Sequence, residues 1–384
     1  MSLFSTPPKP STPLALHRTL SPTASVKVSP ICLGGISLGN EWSELFGHSE
    51  DPFLLLDEFY SQGGNFIDTA NVYNNGRSEE FIGQWMETRG VRDQMVIATK
   101  FSSQWRAHAR EEEKIQSNFS GNSAKSLLVS LRASLRKLKT DYVDVLYVHW
   151  WDFASSVEEV MIHLHSFVMA RQVLYLGVSD TPAWVVVKAN EFARKNGLTP
   201  FSIYQGKWNA TFRDMEAEII PMCEDQGMAI VPWAALGGGL ILSSQQWKER
   251  EEKMAGQKSF YEVGEREIAV SNALEKVAVA KGTTVQAIST YVVPIVGVQT
   301  TDHVKVMNDA ITVKLSAEDI RSIQDAAPFS PLFPMNFLFD TKGDKGYSTK
   351  LTLADHVQYK MGAWVDAPAK HLVWNSSLQP DSPS

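Results

Sequence analysis

Residues 65–83 read NFIDTANVYNNGRSEEFIG. The stretch starts as an apolar strand through Phe66 and Ile67 and breaks at Asp68. Tyr73 follows five residues later, and Ser78-Glu79-Glu80 opens a helix. This is one βα unit whose strand ends in a carboxylate and whose loop carries a phenol. Two later strands end the same way. Val96-Ile97-Ala98-Thr99 runs into Lys100, and the apolar run at 143–148 runs into His149. In a parallel barrel the carboxyl ends of the strands are where chemistry is placed. The expectation is that Asp68, Tyr73, Lys100 and His149 meet around one reacting carbonyl.

Working outward, strand and helix signals alternate. Short apolar runs at 31–33, 65–67, 96–99, 143–148, 173–178, 201–204, 228–231 and 292–296 predict eight strands. Helical patterns lie between them. One spans 51–62 with Ser49 as its cap and Pro52 in its first turn. Others start at Ser78, span 123–138, open on a capping box at 155–159, start at Thr181-Pro182 and close at Gly197, and span 214–226. In the helix from Ser78, Phe81, Ile82, Trp85 and Met86 share a face. Eight such strands predict an α/β chain folded as a (β/α)8 TIM barrel, preceded by a short hairpin whose arms are 14–18 and 26–28. An open doubly wound sheet is disfavoured, because the first strand lacks the G-x-G-x-x-G fingerprint.

The expected organisation is a disordered leader at 1–13, a barrel at 14–327 and a C-terminal extension at 328–384. Part of that extension is expected to pack back through Phe329, Phe333, Phe337, Phe339, Trp364 and Trp374, and its last residues to be disordered. The charged insert at 243–264 reads as a mobile loop near the mouth.

A hydrophobic content of 43% fits a large core, and a net charge of −7 argues against a nucleic-acid surface. The two cysteines, Cys32 and Cys223, have neither disulfide nor metal-ligand spacing, so buried thiols in a reducing compartment and no metal are expected. No run of about 18 apolar residues occurs and the N-terminus lacks an apolar signal core, so a cytoplasmic protein with no membrane span is expected. The sequence sets no oligomeric state.

Asp68, Tyr73, Lys100 and His149 form a complete chemical set for reducing a carbonyl. A tyrosine can give the proton, although its ordinary pKa is about 10. A neighbouring ammonium is expected to lower that value, and a carboxylate keeps the ammonium charged and in place. A histidine can hydrogen-bond the carbonyl oxygen. None of the four supplies a hydride, so a nicotinamide cofactor is implied.

These residues also resemble the aldo-keto reductases. The segment from Phe66-Ile67-Asp68-Thr69-Ala70 to Tyr73, with Gly76 and Ser78-Glu79, looks like that family's signature, and Thr99-Lys100 and Val148-His149 look like two further catalytic motifs. Within the family, GNFIDTANVY, VIATKF, LYVHWWD, LYLGVSDTPAW and YQGKWN resemble the fungal aryl-alcohol dehydrogenase and norsolorinic acid reductase group. The resemblance implies Tyr73 as proton donor, Lys100 and Asp68 as its tuners, and His149 as the residue orienting the carbonyl. It implies that Asp68, Ser179, Asp180 and Gln205 lie at the nicotinamide and that Trp233 stacks on its ring. The loop of Ala234, Leu236, Gly237, Gly238, Gly239 and Leu240 would approach the pyrophosphate. The cofactor implied is NADP, taken up as NADPH, with NAD less favoured.

The chain departs from the pattern in three places. Asp180 stands where the family commonly has Asn. Gln299 stands after strand eight where an Arg or Lys often grips the 2′-phosphate, with His303 and Lys305 as partial substitutes. The helix before strand eight is about two turns short, ~11 Å, so either the segment 265–281 covers the gap or strand eight is displaced, and a misplaced, weakened cofactor clamp is expected. Trp42, Trp105, Trp150, Trp151, Trp208 and Trp233 all follow strands, which suits a flat aromatic substrate, and Trp105, Trp150 and Trp151 are the expected lining. The reading is NADPH-dependent reduction of an aromatic aldehyde or ketone, as in fungal mycotoxin-type polyketide metabolism. The alternatives are a cofactor-binding regulatory module and a barrel impaired by the short helix.

Overall fold

The computed structural model describes residues 8–253, 264–281, 292–339 and 356–363. The chain divides into two compact units, Met1–Pro328 and Phe329–Ser384. The first opens with an antiparallel hairpin, β1 (Arg18–Ser21) and β2 (Ala24–Val28). Eight parallel strands follow: β3 (Cys32–Gly34), β4 (Phe66–Asp68), β5 (Val96–Phe101), β6 (Val143–Val148), β7 (Val173–Ser179), β8 (Phe201–Gln205), β9 (Ala229–Ile230) and β10 (Ile295–Gly297). Their order is β10-β3-β4-β5-β6-β7-β8-β9. The Ile295 N–H donates to the Pro232 carbonyl just past β9, at 2.9 Å, joining the two ends of that order. The sheet is the expected (β/α)8 barrel. Helices α1 (Pro52–Ser61), α2 (Arg77–Arg89), α3 (Ala124–Lys137), α4 (Val157–Met169), α5 (Ala183–Lys195) and α6 (Ile219–Gln226) alternate with its strands. They are followed by α7 (Ser244–Lys253), α8 (Glu265–Lys281), α9 (Thr301–Thr312) and α10 (Ala317–Ala326).

The period-two geometry of a strand sorts the side chains. Cys32, Phe66, Ala98, Val145, Tyr147, Ile203 and Ile295 fill the barrel interior, together with Leu20, Ala24 and Val28 of the hairpin. Their neighbours Leu33, Ile67, Ile97 and Leu146 pack outward with helix residues Leu55, Ile82 and Leu131. Asp68 and Lys100 carry the same parity as Phe66 and Ala98, and His149 that of Tyr147, so the alternation that fills the core also turns these polar residues inward. Gly177 makes room for the Tyr147 ring, since a Cβ there would lie 2.4 Å from Tyr147 Cδ1. The hairpin covers the amino end of the barrel, where Ser202 Oγ donates to the Thr23 carbonyl at 3.3 Å.

Several local expectations are corrected. The cap of α1 is Asp51, whose carboxylate accepts the Phe53 N–H at 2.8 Å; it stands directly before Pro52 and so displaces Ser49 from that role. Ser156 caps α4, but Glu159 does not close a capping box; its carboxylate accepts the Ala124 N–H at 3.0 Å and so serves the neighbouring helix α3. Extended Pro182, not Thr181, is the N-cap of α5. Phe81 is half-buried under the Arg77 guanidinium rather than in the core. The span 214–226 is a turn, Asp214–Glu216, followed by α6, which Gly227 ends at φ +67°.

The first part of the 243–264 insert is α7, and residues 254–263 lie outside the described residues. So do residues 282–291, which carry most of the shortened helix. Strand eight is not displaced: β10 pairs with β3 from Ile295↔Cys32 to Gly297↔Gly34. The chain enters it through Val292 at φ +74°, a left-handed conformation that a β-branched residue rarely adopts. The second unit contains a helical turn, Met335–Leu338, and a short helix, Val357–Gly362. Within it Phe333 and Phe337 lie 6.2 Å apart by ring centroids, while Trp364 and Trp374 fall outside the described residues.

Candidate active site

Asp68 ends β4, Lys100 lies near the end of β5 and His149 directly follows β6, so adjacent strands present three of the four residues. The fourth, Tyr73, comes from the loop after β4. That loop is held by Asn74, buried at φ +48°, a backbone conformation Asn tolerates through its short polar side chain. Asn74 Nδ2 donates to the Ile36 carbonyl at 2.7 Å, and its Oδ1 accepts the Trp42 N–H at 3.1 Å.

Lys100 is the hub. Its ammonium bonds Asp68 Oδ1, the Thr69 carbonyl at 2.8 Å and the Tyr73 hydroxyl at 3.2 Å. Gln205 Nε2 donates to the other Asp68 oxygen at 2.9 Å. Lys100 and Asp68 are 0% and 2% exposed, so the ion pair is removed from water. Burial pulls the Lys100 ammonium down, but Asp68 and Tyr73 outweigh it and hold it above the usual lysine value. Burial raises the Asp68 carboxyl against the pull of Lys100. The expected lowering of Tyr73 does not follow from this geometry. Burial raises the phenol above its usual value of 10.0, Lys100 lowers it, and Asp68 raises it again. At neutral pH the hydroxyl therefore holds its proton.

His149 sets its ring edge against Tyr73, with centroids 6.1 Å apart. Its Nδ1 lies 3.0 Å from Ser103 Oγ, which also accepts the Trp150 indole N–H at 3.2 Å. An indole only donates, so the Ser103 hydroxyl hydrogen is free to go to Nδ1. That arrangement is compatible with the imidazole proton on Nε2, where it would face the site. Burial, and then Lys100, lower the His149 pKa to about 3, so the ring is neutral.

The six tryptophans divide. Trp42 lies 6.3 Å from Tyr73, edge to face, Trp150 is tied to His149 through Ser103, and the Trp233 indole N–H donates to Asp180 at 3.1 Å. Trp105 packs on Phe119 and lines a cavity of about 440 Å³ with Arg136 and Lys137 that contains none of Asp68, Tyr73, Lys100 and His149. Trp151 joins the apolar layer between strands and helices, and the Trp208 indole anchors to Glu216 at 3.0 Å. Asn74 and Ser103 were missed in the sequence. The Asn74-Asn75-Gly76 run was the available signal, because consecutive Asn and Gly mark a left-handed turn.

The groups implied for a nicotinamide sit at the carboxyl ends of β7, β8 and β9. Ser179 Oγ is sealed from solvent beside the Asp180 carboxylate, where its hydroxyl could donate to a carboxamide. Burial raises the adjacent Asp180 carboxyl to about 6, against the Trp233 hydrogen bond. In the loop after Trp233, Ala234 is at φ +51° and Gly237, Gly238 and Gly239 are all left-handed. The Ala234 carbonyl accepts from Asn209, Leu236 and Gly237 turn the chain, and Leu240 is buried. These residues fit the group. At the start of α9, Gln299 donates its side-chain amide to the Phe46 carbonyl, and its backbone N–H donates to His303 Nδ1 at 3.3 Å. Among the described residues no group of three or more His, Cys, Asp or Glu could hold a metal ion, and no helix is long and apolar enough to cross a membrane.

The aldo/keto reductase family model matches residues 30–328. The chain belongs to that family. It is 47% identical to norsolorinic acid reductase A of Aspergillus parasiticus over 360 residues, covering 91% of this chain and 90% of that one. It is 47% identical to norsolorinic acid reductase B of Dothistroma septosporum over 338 residues, covering 85% and 86%. It is also 47% identical to the aryl-alcohol dehydrogenase [NADP(+)] of Phanerodontia chrysosporium over 353 residues, covering 87% and 91%. With eight parallel strands and these relatives, this aldo/keto reductase is an oxidoreductase.

Proposed function

We propose that this aldo/keto reductase reduces an aromatic aldehyde or ketone, with NADPH as hydride source. The observation that carries the reading is the Lys100 ammonium, which bridges the buried Asp68 carboxylate and the Tyr73 hydroxyl beside His149. When bound, a reduced nicotinamide supplies a hydride to the carbonyl carbon. Tyr73 gives its proton to the oxygen, and the phenolate left behind faces the Lys100 ammonium. Lys100 thus acts on the ionised tyrosine, not by lowering the resting phenol. The neutral His149 donates from Nε2 to the carbonyl oxygen and holds it in line. In this reading Ser179, Asp180 and Gln205 would hold the nicotinamide amide, and Trp233 would cover its ring.

The relatives' names point to an aryl alcohol or a norsolorinic acid-like ketone, and Trp42 and Trp150, beside Tyr73 and His149, suit a flat ring. Steady-state NADPH oxidation with a benzaldehyde and an acylated anthraquinone, against a short aliphatic aldehyde, tests the reading. Trp42→Leu is expected to raise KM for the aromatic carbonyls about tenfold and leave the aliphatic one unchanged, the scale of a lost aromatic contact. Equal losses on both would remove the aromatic pocket. Bound cofactor with no turnover of any carbonyl would favour a regulatory module.

A second expectation concerns pH. Because His149 stays neutral far below its ordinary 6.5, a break in kcat/KM near 6 should come from Asp180 and disappear in Asp180→Asn, with a further fall in alkali as Tyr73 ionises. A break near 6.5 that persists in Asp180→Asn would mean that His149 works as a charged acid.

A further inference from the structure

Parallel barrels commonly seat phosphate in the loops after strands seven and eight, at a helix N-terminus. Here that helix is α9, and a carboxylate of the chain itself occupies its start. Glu50 Oε2 accepts the Thr301 N–H at 2.9 Å, and Thr300 Oγ1 accepts the His303 N–H at 3.3 Å. Glu50 is held by its main chain as well, its N–H donating to the Gln299 carbonyl at 2.8 Å. The nearby groups offer an anion little. The Gln299 amide is committed to the Phe46 carbonyl, and the Lys305 ammonium is paired with Asp302 at 2.9 Å. His303 accepts a hydrogen bond on Nδ1, so that atom carries no proton, and burial lowers its pKa although Asp302 and Glu50 raise it.

We infer that Glu50 is a cofactor-specificity residue: its carboxylate competes with a 2′-phosphate for the start of α9 and accepts the hydroxyl of an unphosphorylated adenosine ribose, so the chain binds NADH and NADPH with comparable affinity. The inference rests on the nicotinamide reading above and concerns only which form is taken. The chemistry has a general precedent. A carboxylate that accepts the ribose 2′-hydroxyl selects the unphosphorylated cofactor in dinucleotide folds, and a cation selects the phosphorylated one. Two carboxylates, Glu50 and Asp302, stand at this helix start, and Gln299 adds no charge.

The test is a fluorescence titration of the full chain with NADPH and with NADH, needing no turnover. The two dissociation constants are expected to agree within about threefold. Glu50→Gln keeps an oxygen for the Thr301 N–H but loses the charged acceptor for the ribose hydroxyl, so it should tighten NADPH about tenfold and weaken NADH about threefold. Gln299→Arg adds a cation at the same place and should move the ratio the same way. NADPH binding tenfold or more tighter than NADH in the unmodified chain, or an unchanged ratio in both variants, would overturn the assignment of Glu50 while leaving the oxidoreductase reading intact. Binding of neither form would overturn both.

Discussion

Tyr73→Phe is expected to lower kcat for carbonyl reduction by about 10³-fold, within the range that a positioned general acid contributes, and to leave cofactor affinity unchanged. The variant removes one oxygen. That oxygen receives a hydrogen bond from Lys100 at 3.2 Å and takes part in no other described contact, so the ring can keep its place between Trp42 and His149. Because burial holds the phenol protonated, the loss should be the same at every pH below the ordinary tyrosine value. The measurement is kcat and KM for one aromatic aldehyde, beside a cofactor titration. A loss confined to KM would make Tyr73 a binding residue only. A loss of cofactor binding would mean that the loop, not the proton, had been damaged.

The parts of this site that the sequence revealed are those that follow from periodicity. Alternation along β4, β5 and β6 places Asp68, Lys100 and His149 on the inward parity with Phe66, Ala98 and Tyr147, and counting by two from an apolar residue is enough to see it. Tyr73 was readable from its place five residues after Asp68, in the loop between that strand and the helix opened by Ser78-Glu79-Glu80. What stayed hidden depends on partners far apart in sequence. Asn74 reaches back to Ile36, Ser103 reaches forward to His149, and Glu50 meets Thr301 only because the barrel closes. The direction of the Tyr73 shift was hidden for a different reason. A neighbouring lysine lowers a phenol's pKa and burial raises it, and only the folded surroundings decide which is larger. Trp105 and Trp151 show the limit of composition. They follow strands as Trp42 and Trp150 do, yet their rings turn toward helices. Helix α7 was missed because its residues are polar on all sides and carry no apolar stripe to count.

Lys100→Met carries the second large effect, and it separates stability from catalysis. The substitution fits the volume of the lysine stem but leaves the Asp68 carboxylate, 2% exposed, without its cation. Breaking a buried pair by removing one partner costs about 3–5 kcal/mol. Asp68 can escape by taking up a proton, and its carboxyl is already raised by burial. For an acid whose folded pKa lies above its unfolded value, stability is fully present below the unfolded value and is lost as pH rises through the folded one. The gap in Tm between the variant and the unmodified chain should therefore be small in acid and widen as the pH rises past the ordinary aspartate value. Adding Asp68→Asn removes the stranded charge while its amide oxygen still accepts from Gln205 Nε2, so the double variant should recover most of the lost stability. It should not recover turnover, because no ammonium then faces the Tyr73 phenolate formed in reduction. Thermal melts across pH for the unmodified chain and the two variants, with steady-state rates beside them, decide the matter. A double variant as unstable as Lys100→Met would place the cost in lost packing rather than in the unpaired carboxylate.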